Sequence, residues 1–141
     1  YADEGYPLLS AFNIINSKLD FVEVNYINQF RYDESPEIKL AINDILLVKD
    51  GAGIGKCAIV EWLPIPSTSN GSLAVVTTTN HLYPKFLYYA TQYLVLRLED
   101  RGYARHYQYI EKKGLDIPSV PEQKRIVAKL EEILPLCDRL K

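Results

Sequence analysis

Methionine is absent from this chain, tryptophan occurs once, and cysteine and histidine occur twice each. The two cysteines, Cys57 and Cys137, lie far apart and make no metal-ligand spacing with His81 and His106. Neither histidine has a carboxylate or cysteine nearby in sequence from which a catalytic dyad would be read. No apolar run approaches the roughly 18 residues of a membrane span, and no secretory signal opens the chain. A reduced, cytoplasmic protein is therefore expected. A chain that opens at Tyr1 and has no methionine is expected to be part of a longer product. Excess positive charge is also lacking. The net charge is −2, whereas proteins that coat nucleic acid indiscriminately rely on Lys and Arg to neutralise phosphates. Residues 1–120 hold 11 basic against 14 acidic side chains, and 121–141 hold 5 against 4, so any DNA contact has to use a local patch.

The 141 residues suffice for one domain with an adequate core, and 48% of them are hydrophobic at a mean hydropathy of −0.12. The first two-thirds reads as short strands. Val22, Val24 and Tyr26 alternate with Glu23 and Asn25, the period of a half-buried strand. Asp44–Lys49 and Lys56–Trp62 are short apolar runs, and between them D-G-A-G-I-G at 50–55 predicts a hairpin turn, since glycine adopts positive φ without penalty. A Pro, Ser, Asn and Gly-rich loop at 63–71 leads to a further strand at 73–77.

From Pro84 the pattern becomes helical. Leu87, Ala90, Tyr93 and Leu94 predict a helix over 84–98 that packs on the sheet. Gly102 and Gly114 break the mixed segment 99–118. Ser119 followed by Glu122, with Pro121 in the first turn, marks a helix start. Ile126, Leu130, Ile133, Cys137 and Leu140 then step by alternating fours and threes as a heptad seam, with Gln123, Lys124, Lys129, Glu131 and Asp138 placed on the outer faces. Two heptads suit a coiled coil and a surface helix on its own domain equally. Pro135 predicts a kink or restart.

The glycine loop does not meet the requirements of a nucleotide site. A Walker A loop needs G-x-x-x-x-G-K-S/T, but Asp50 replaces the first glycine and Cys57 the hydroxyl residue; G-x-G-x-x-G fails at Lys56. Lys49 and Lys56 flank the hairpin and can still meet a backbone phosphate. Cys137 beside Asp138 falls on the apolar seam and Cys57 in a strand, so both are expected to act as small hydrophobes. Residues 97–113 are locally basic, with Arg97, Arg101, Arg105, Lys112 and Lys113 against Glu99, Asp100 and Glu111, and with Tyr103, His106, Tyr107 and Tyr109 interleaved. Arg reads guanine bidentately and Tyr and Lys hold phosphates, so Arg101, Tyr103, Arg105 and Tyr107 are candidate DNA contacts. A solvated face over core tyrosines has the same composition.

Several segments, in order, resemble one family. They are G-Y-P-L-L-S-A-F-N-I at 5–14, N-D-I-L-L-V-K-D-G-A-G-I-G-K-C-A-I-V at 43–60, S-T-S-N-G-S-L-A-V-V at 67–76, P-K-F-L-Y-Y-A at 84–90, and P-S-V-P-E-Q-K-R-I-V-A-K-L at 118–130. Together they resemble the specificity subunit of type I restriction–modification systems over nearly the whole chain, most specifically in the glycine hairpin and the P-E-Q helix start. The resemblance implies an α+β fold: a twisted mixed or antiparallel sheet with a packed helix as the target recognition domain at 1–117, then the start of a coiled-coil-type spacer helix at 118–141. It implies recognition of one half of a bipartite double-stranded DNA site, with no catalysis and no cofactor in this chain. S-adenosylmethionine and ATP would belong to partner subunits. The implied partners are methyltransferase subunits, a restriction subunit, and a second recognition domain or a second copy paired through the helix, without a membrane. Under this resemblance the heptad seam favours a coiled coil. The chain departs from the family pattern by a missing leading strand, a short helix and a loop before P-E-Q that is one residue shorter. The alternative is an interaction module that binds methyltransferase partners through its helix without engaging DNA.

Overall fold

The structure is a computed structural model that describes residues 3–51, 53–96 and 117–138. These residues form an α+β fold. Strand β1 (Tyr6–Leu9) is followed by the hairpin β2 (Ile14–Ile15) and β3 (Lys18–Leu19), then β4 (Asn25–Ile27) and the short helix α1 (Gln29–Glu34). Next come β5 (Ile45–Val48), β6 (Cys57–Ile59), β7 (Thr68–Ser69) and β8 (Leu73–Val76), then the helices α2 (Pro84–Leu96) and α3 (Val120–Asp138). Among the described residues the strands make a mixed sheet ordered β4-β1-β7, the β2–β3 ribbon, and an antiparallel sheet ordered β6-β5-β8.

Strand β5 is buried along its whole length, so its residues are consecutively apolar rather than alternating. Leu46 and Val48 join Leu9, Ile14, Leu40, Ala58, Val60 and Leu73 in the main core. Leu47, on the other face, meets Ala74 and Val95, so α2 covers the second side. The strand is entered through a tight turn: buried Asp44 accepts the Ala41 N–H at 2.9 Å, and Asn43 takes φ 77°. Burial raises the Asp44 carboxyl above its ordinary range, opposed by the bonds from Ala41 and Thr77. A second buried side chain, Asn13, holds the segment before β4. It accepts from Ser10 N–H and donates to the carbonyls of Asp20 and Glu23 at 3.0 and 2.8 Å.

The strands expected at 44–49 and 73–77 are present with slightly tighter ends, that expected at 56–62 is confined to Cys57–Ile59, and the expected helix at 84–98 is observed to Leu96. The alternation at 22–26 does not mark a strand of that extent. Val22 is 86% exposed and its N–H is taken by the Asp20 carboxylate at 2.9 Å, a turn that delays the strand until Asn25. Helix α3 begins as expected, with the Glu122 N–H directed at Ser119 Oγ at 3.4 Å. It continues as one element through Pro135 rather than restarting. The carbonyl that Pro135 deprives of a partner belongs to Glu131, in a turn exposed to solvent, where the missing bond is least costly.

Gln123 overturns its expected outward placement. It is 0% exposed, and its carboxamide is completely used. Oε1 accepts the Tyr83 N–H at 2.7 Å, and Nε2 donates to the carbonyls of His81 and Pro118, both at 2.8 Å. One side chain thus ties the residues before α2 to the residues before α3. Val127, one turn on, is also buried, and Ile126 and Leu130 are half-buried beside it. A Lys85–Glu131 ion pair at 3.1 Å adds a surface contact between the helices, of a kind worth about 1 kcal/mol or less. Replacing Gln123 by Leu keeps the volume but leaves three backbone groups, those of Tyr83 and Pro118 half-buried, without this partner, so the Gln123→Leu variant is expected to lose about 1–3 kcal/mol in urea unfolding. Unchanged stability would show that the amide bonds contribute nothing net.

Candidate nucleic-acid interface

The glycine loop forms the expected hairpin between β5 and β6. Gly55 N–H donates to Val48 O at 3.0 Å and Val48 N–H to Lys56 O at 2.9 Å, closing the ladder. Gly51 and Gly55 take φ of 87° and 95°, values that side-chain-bearing residues rarely adopt. The loop leads into strand β6 and not into a helix, so it has no helix N-terminus with which to cradle a phosphate, consistent with the motif mismatch.

A cleft of about 420 Å³ opens beside the hairpin, bordered by Gly55, Lys56 and Cys57, by Asn16 and Ser17 of the β2–β3 turn, and by Gln92 of α2. Three segments distant in sequence meet there. Asn16 and Ser17 both have left-handed φ, 53° and 63°, the backbone of a two-residue hairpin turn whose twist matches its strands. Lys56 is exposed at the rim. Behind it Gln92 Nε2 donates to Tyr88 Oη at 2.9 Å, with the Ser17 side chain near the same hydroxyl. Burial raises the Tyr88 phenol above its ordinary value, opposed by the nearby Ser17 and Gln92 side chains. The cleft, which Ile14 and Ile15 also line, combines one cation with carboxamide and hydroxyl groups that donate and accept, groups able to meet a phosphate and a base edge.

Of the expected DNA contacts, Lys56 lies at this cleft and Lys49, half-buried, stands at the other end of the same loop. Arg101, Tyr103, Arg105 and Tyr107 lie outside the described residues, as do the rest of the stretch 97–113 and Leu140. Of the expected seam, Ile126 and Leu130 are half-buried on the α2 side, whereas Ile133 is 40% exposed and Cys137 is exposed. The neighbouring Leu134 and Leu136 are exposed too, so the second half of α3 presents an apolar surface that the described residues leave uncovered. Sequence reasoning missed Asn16, Ser17, Tyr88 and Gln92. The only local signal was the N-S pair between apolar residues at 14–19, a hairpin cue. A separate apolar surface joins Phe21 to the exposed Trp62, edge to face at 5.8 Å between ring centroids.

Among the described residues there is no group of three or more His, Cys, Asp or Glu placed to hold a metal, and no helix is long and apolar enough to cross a membrane. Burial pushes the Cys57 thiol up to about 12 from its ordinary 9.0. Iodoacetamide at mildly alkaline pH is thus expected to label Cys137 in the native protein and to reach Cys57 only after denaturation, read by mass spectrometry of the two peptides. The raised value also sets a direction for stability. Below 9.0 the thiol is protonated in both folded and unfolded chains and contributes nothing; as pH rises from there towards 12 the unfolded chain loses its proton first, and stability falls. Rapid native labelling of Cys57 would contradict both expectations.

Compared with known protein families and with curated proteins, the chain matches no family model and no curated protein.

Proposed function

We propose that the chain is a DNA target recognition domain of a type I restriction–modification specificity subunit, reading one half of a bipartite duplex site, with α3 as the start of a coiled-coil spacer. The observation that carries this is the cleft at the glycine hairpin, where Lys56 shares a rim with Asn16, Ser17 and Gln92. The ordered resemblance along the chain supports it. So does the basic, tyrosine-rich stretch 97–113, which follows α2 directly in sequence. The chain has no chemistry of its own under this proposal: methyltransferase subunits bring S-adenosylmethionine and the restriction subunit brings ATP. The uncovered end of α3, with Ile133 and Leu136, is the surface on which methyltransferase subunits, a second recognition domain or a second copy would pair.

The test uses the complex assembled with methyltransferase subunits and a pool of randomised duplexes. The intact complex is expected to select one sequence pattern. Lys56→Ala is expected to weaken binding to all duplexes by a similar factor and to reduce the slope of log K against log salt by about one, the mark of one lost phosphate contact. Binding without sequence preference, or an unchanged salt slope in the variant, would overturn the DNA role. Ile133→Asp with Leu136→Asp is expected to abolish co-purification with the methyltransferase subunits while the thermal unfolding of the isolated chain stays the same, because both side chains are exposed. Retained co-purification would rule out this face as the docking surface.

The exposed apolar end of α3 also favours a second reading, an interaction module that binds methyltransferase partners without engaging DNA. Partner binding that survives Lys56→Ala in a complex with no affinity for duplex would establish it.

A further inference from the structure

We propose that Gln92 determines specificity by reading an adenine edge in the cleft, and that Tyr88 is the residue that positions it; this rests on the DNA-recognition proposal above. To distinguish adenine in the major groove, a side chain has to accept from N6–H and donate to N7 at the same time. A carboxamide carries both functions at one end. The cleft has two carboxamides, Asn16 and Gln92. Asn16 is exposed on its turn, and among the described residues no side-chain bond holds it. Gln92 is fixed. Its Nε2 donates to Tyr88 Oη at 2.9 Å, while Oε1 and the second N–H have no partner among the described residues.

Those two remaining functions are the pair that adenine requires. Tyr88 and Gln92 lie four residues apart on α2, so the helix itself sets their separation on one face. Ser17 of the β2–β3 turn lines the same cleft and lies near enough to lower the Tyr88 phenol against the effect of burial, so the turn adjoins the Tyr88–Gln92 pair. A side chain held in one orientation before binding loses less freedom when it binds, and discriminates more sharply, than a mobile one. Lys56 on the opposing rim supplies charge for the backbone but has no acceptor, so it cannot make this distinction.

The assembled complex is tested against the sequence that it selects from randomised duplexes. Gln92→Ala is expected to lower the preference at a single A·T position about tenfold to a hundredfold while leaving the other positions unchanged. Gln92→Glu, which can only accept, is expected to shift that position towards cytosine. Tyr88→Phe removes the hydroxyl that holds Gln92 and is expected to weaken preference at the same position, by less than Gln92→Ala. In the unaltered complex, 7-deazaadenine at that position lacks the N7 acceptor and is expected to reproduce the loss, with no further effect in Gln92→Ala. This arm needs no variant to fold. Sequence-selective binding that is unchanged by Gln92→Ala, or a change confined to a G·C position, would overturn the assignment while leaving DNA recognition standing. A complex without sequence preference would overturn both.

Discussion

The placement of α3 against α2 depends on the Gln123 carboxamide. Two helices that meet at a domain edge leave free backbone groups where each begins, and a buried polar group without a partner costs about 1–3 kcal/mol. Gln123 meets this constraint with one planar amide that accepts from the residue before α2 and donates to the approaches of both helices. The geometry admits little slack, because all three partners lie within 2.8 Å of the same two atoms. It therefore fixes where α3 starts and which of its faces meets α2. With Gln123 and Val127 turned inward, the residues beyond Leu130 run past the covered surface, and Ile133, Leu134 and Leu136 emerge uncovered. The free apolar end of α3 is thus a consequence of how its first turn is anchored.

A second constraint, the two-sided burial of β5, positions the cleft. A strand with apolar residues on both faces has to be covered on both, by the main core on one side and α2 on the other. Its hairpin with β6 then projects from the covered region, and α2, lying across the same sheet, carries Tyr88 and Gln92 to the side of the loop. The groups that define the cleft are brought together by core packing, so they are held by elements with little freedom to move. Such rigidity suits the reading of base edges, where a small displacement removes a bidentate contact.

Features written in consecutive residues were legible in the sequence. The I-L-L-V run, the glycine-rich turn and the Ser119 start of α3 are local patterns with local physical causes, and each predicted its element. The strand read at 22–26 shows the limit: Val-Glu-Val alternates correctly, but the Asp20 carboxylate captures the Val22 N–H and the strand starts only at Asn25. Gln123 was placed outside because glutamine is ordinarily a surface residue and the heptad pattern counts only apolar positions. Nothing local marks three backbone groups, two of them about forty residues distant, as its partners. The cleft was illegible for the same reason, since Ser17, Lys56 and Gln92 become neighbours only through packing.

Charge explains why such a domain would act within an assembly. Non-specific DNA affinity grows with the number of phosphates neutralised, each contributing roughly 0.9 to the slope of log K against log salt. With a net charge of −2, this chain cannot gain much affinity that way. Under the proposed function, what the cleft would offer instead is discrimination: one cation to set register and polar groups to favour one base edge over another. On that proposal affinity would come from other proteins held against the same duplex, and the end of α3, which the described residues leave exposed, would be the surface that recruits them. A weakly charged reader joined to a protein-binding helix separates specificity from affinity. A mismatched site then lacks the oriented contacts, and there is little non-specific attraction to compensate for their loss.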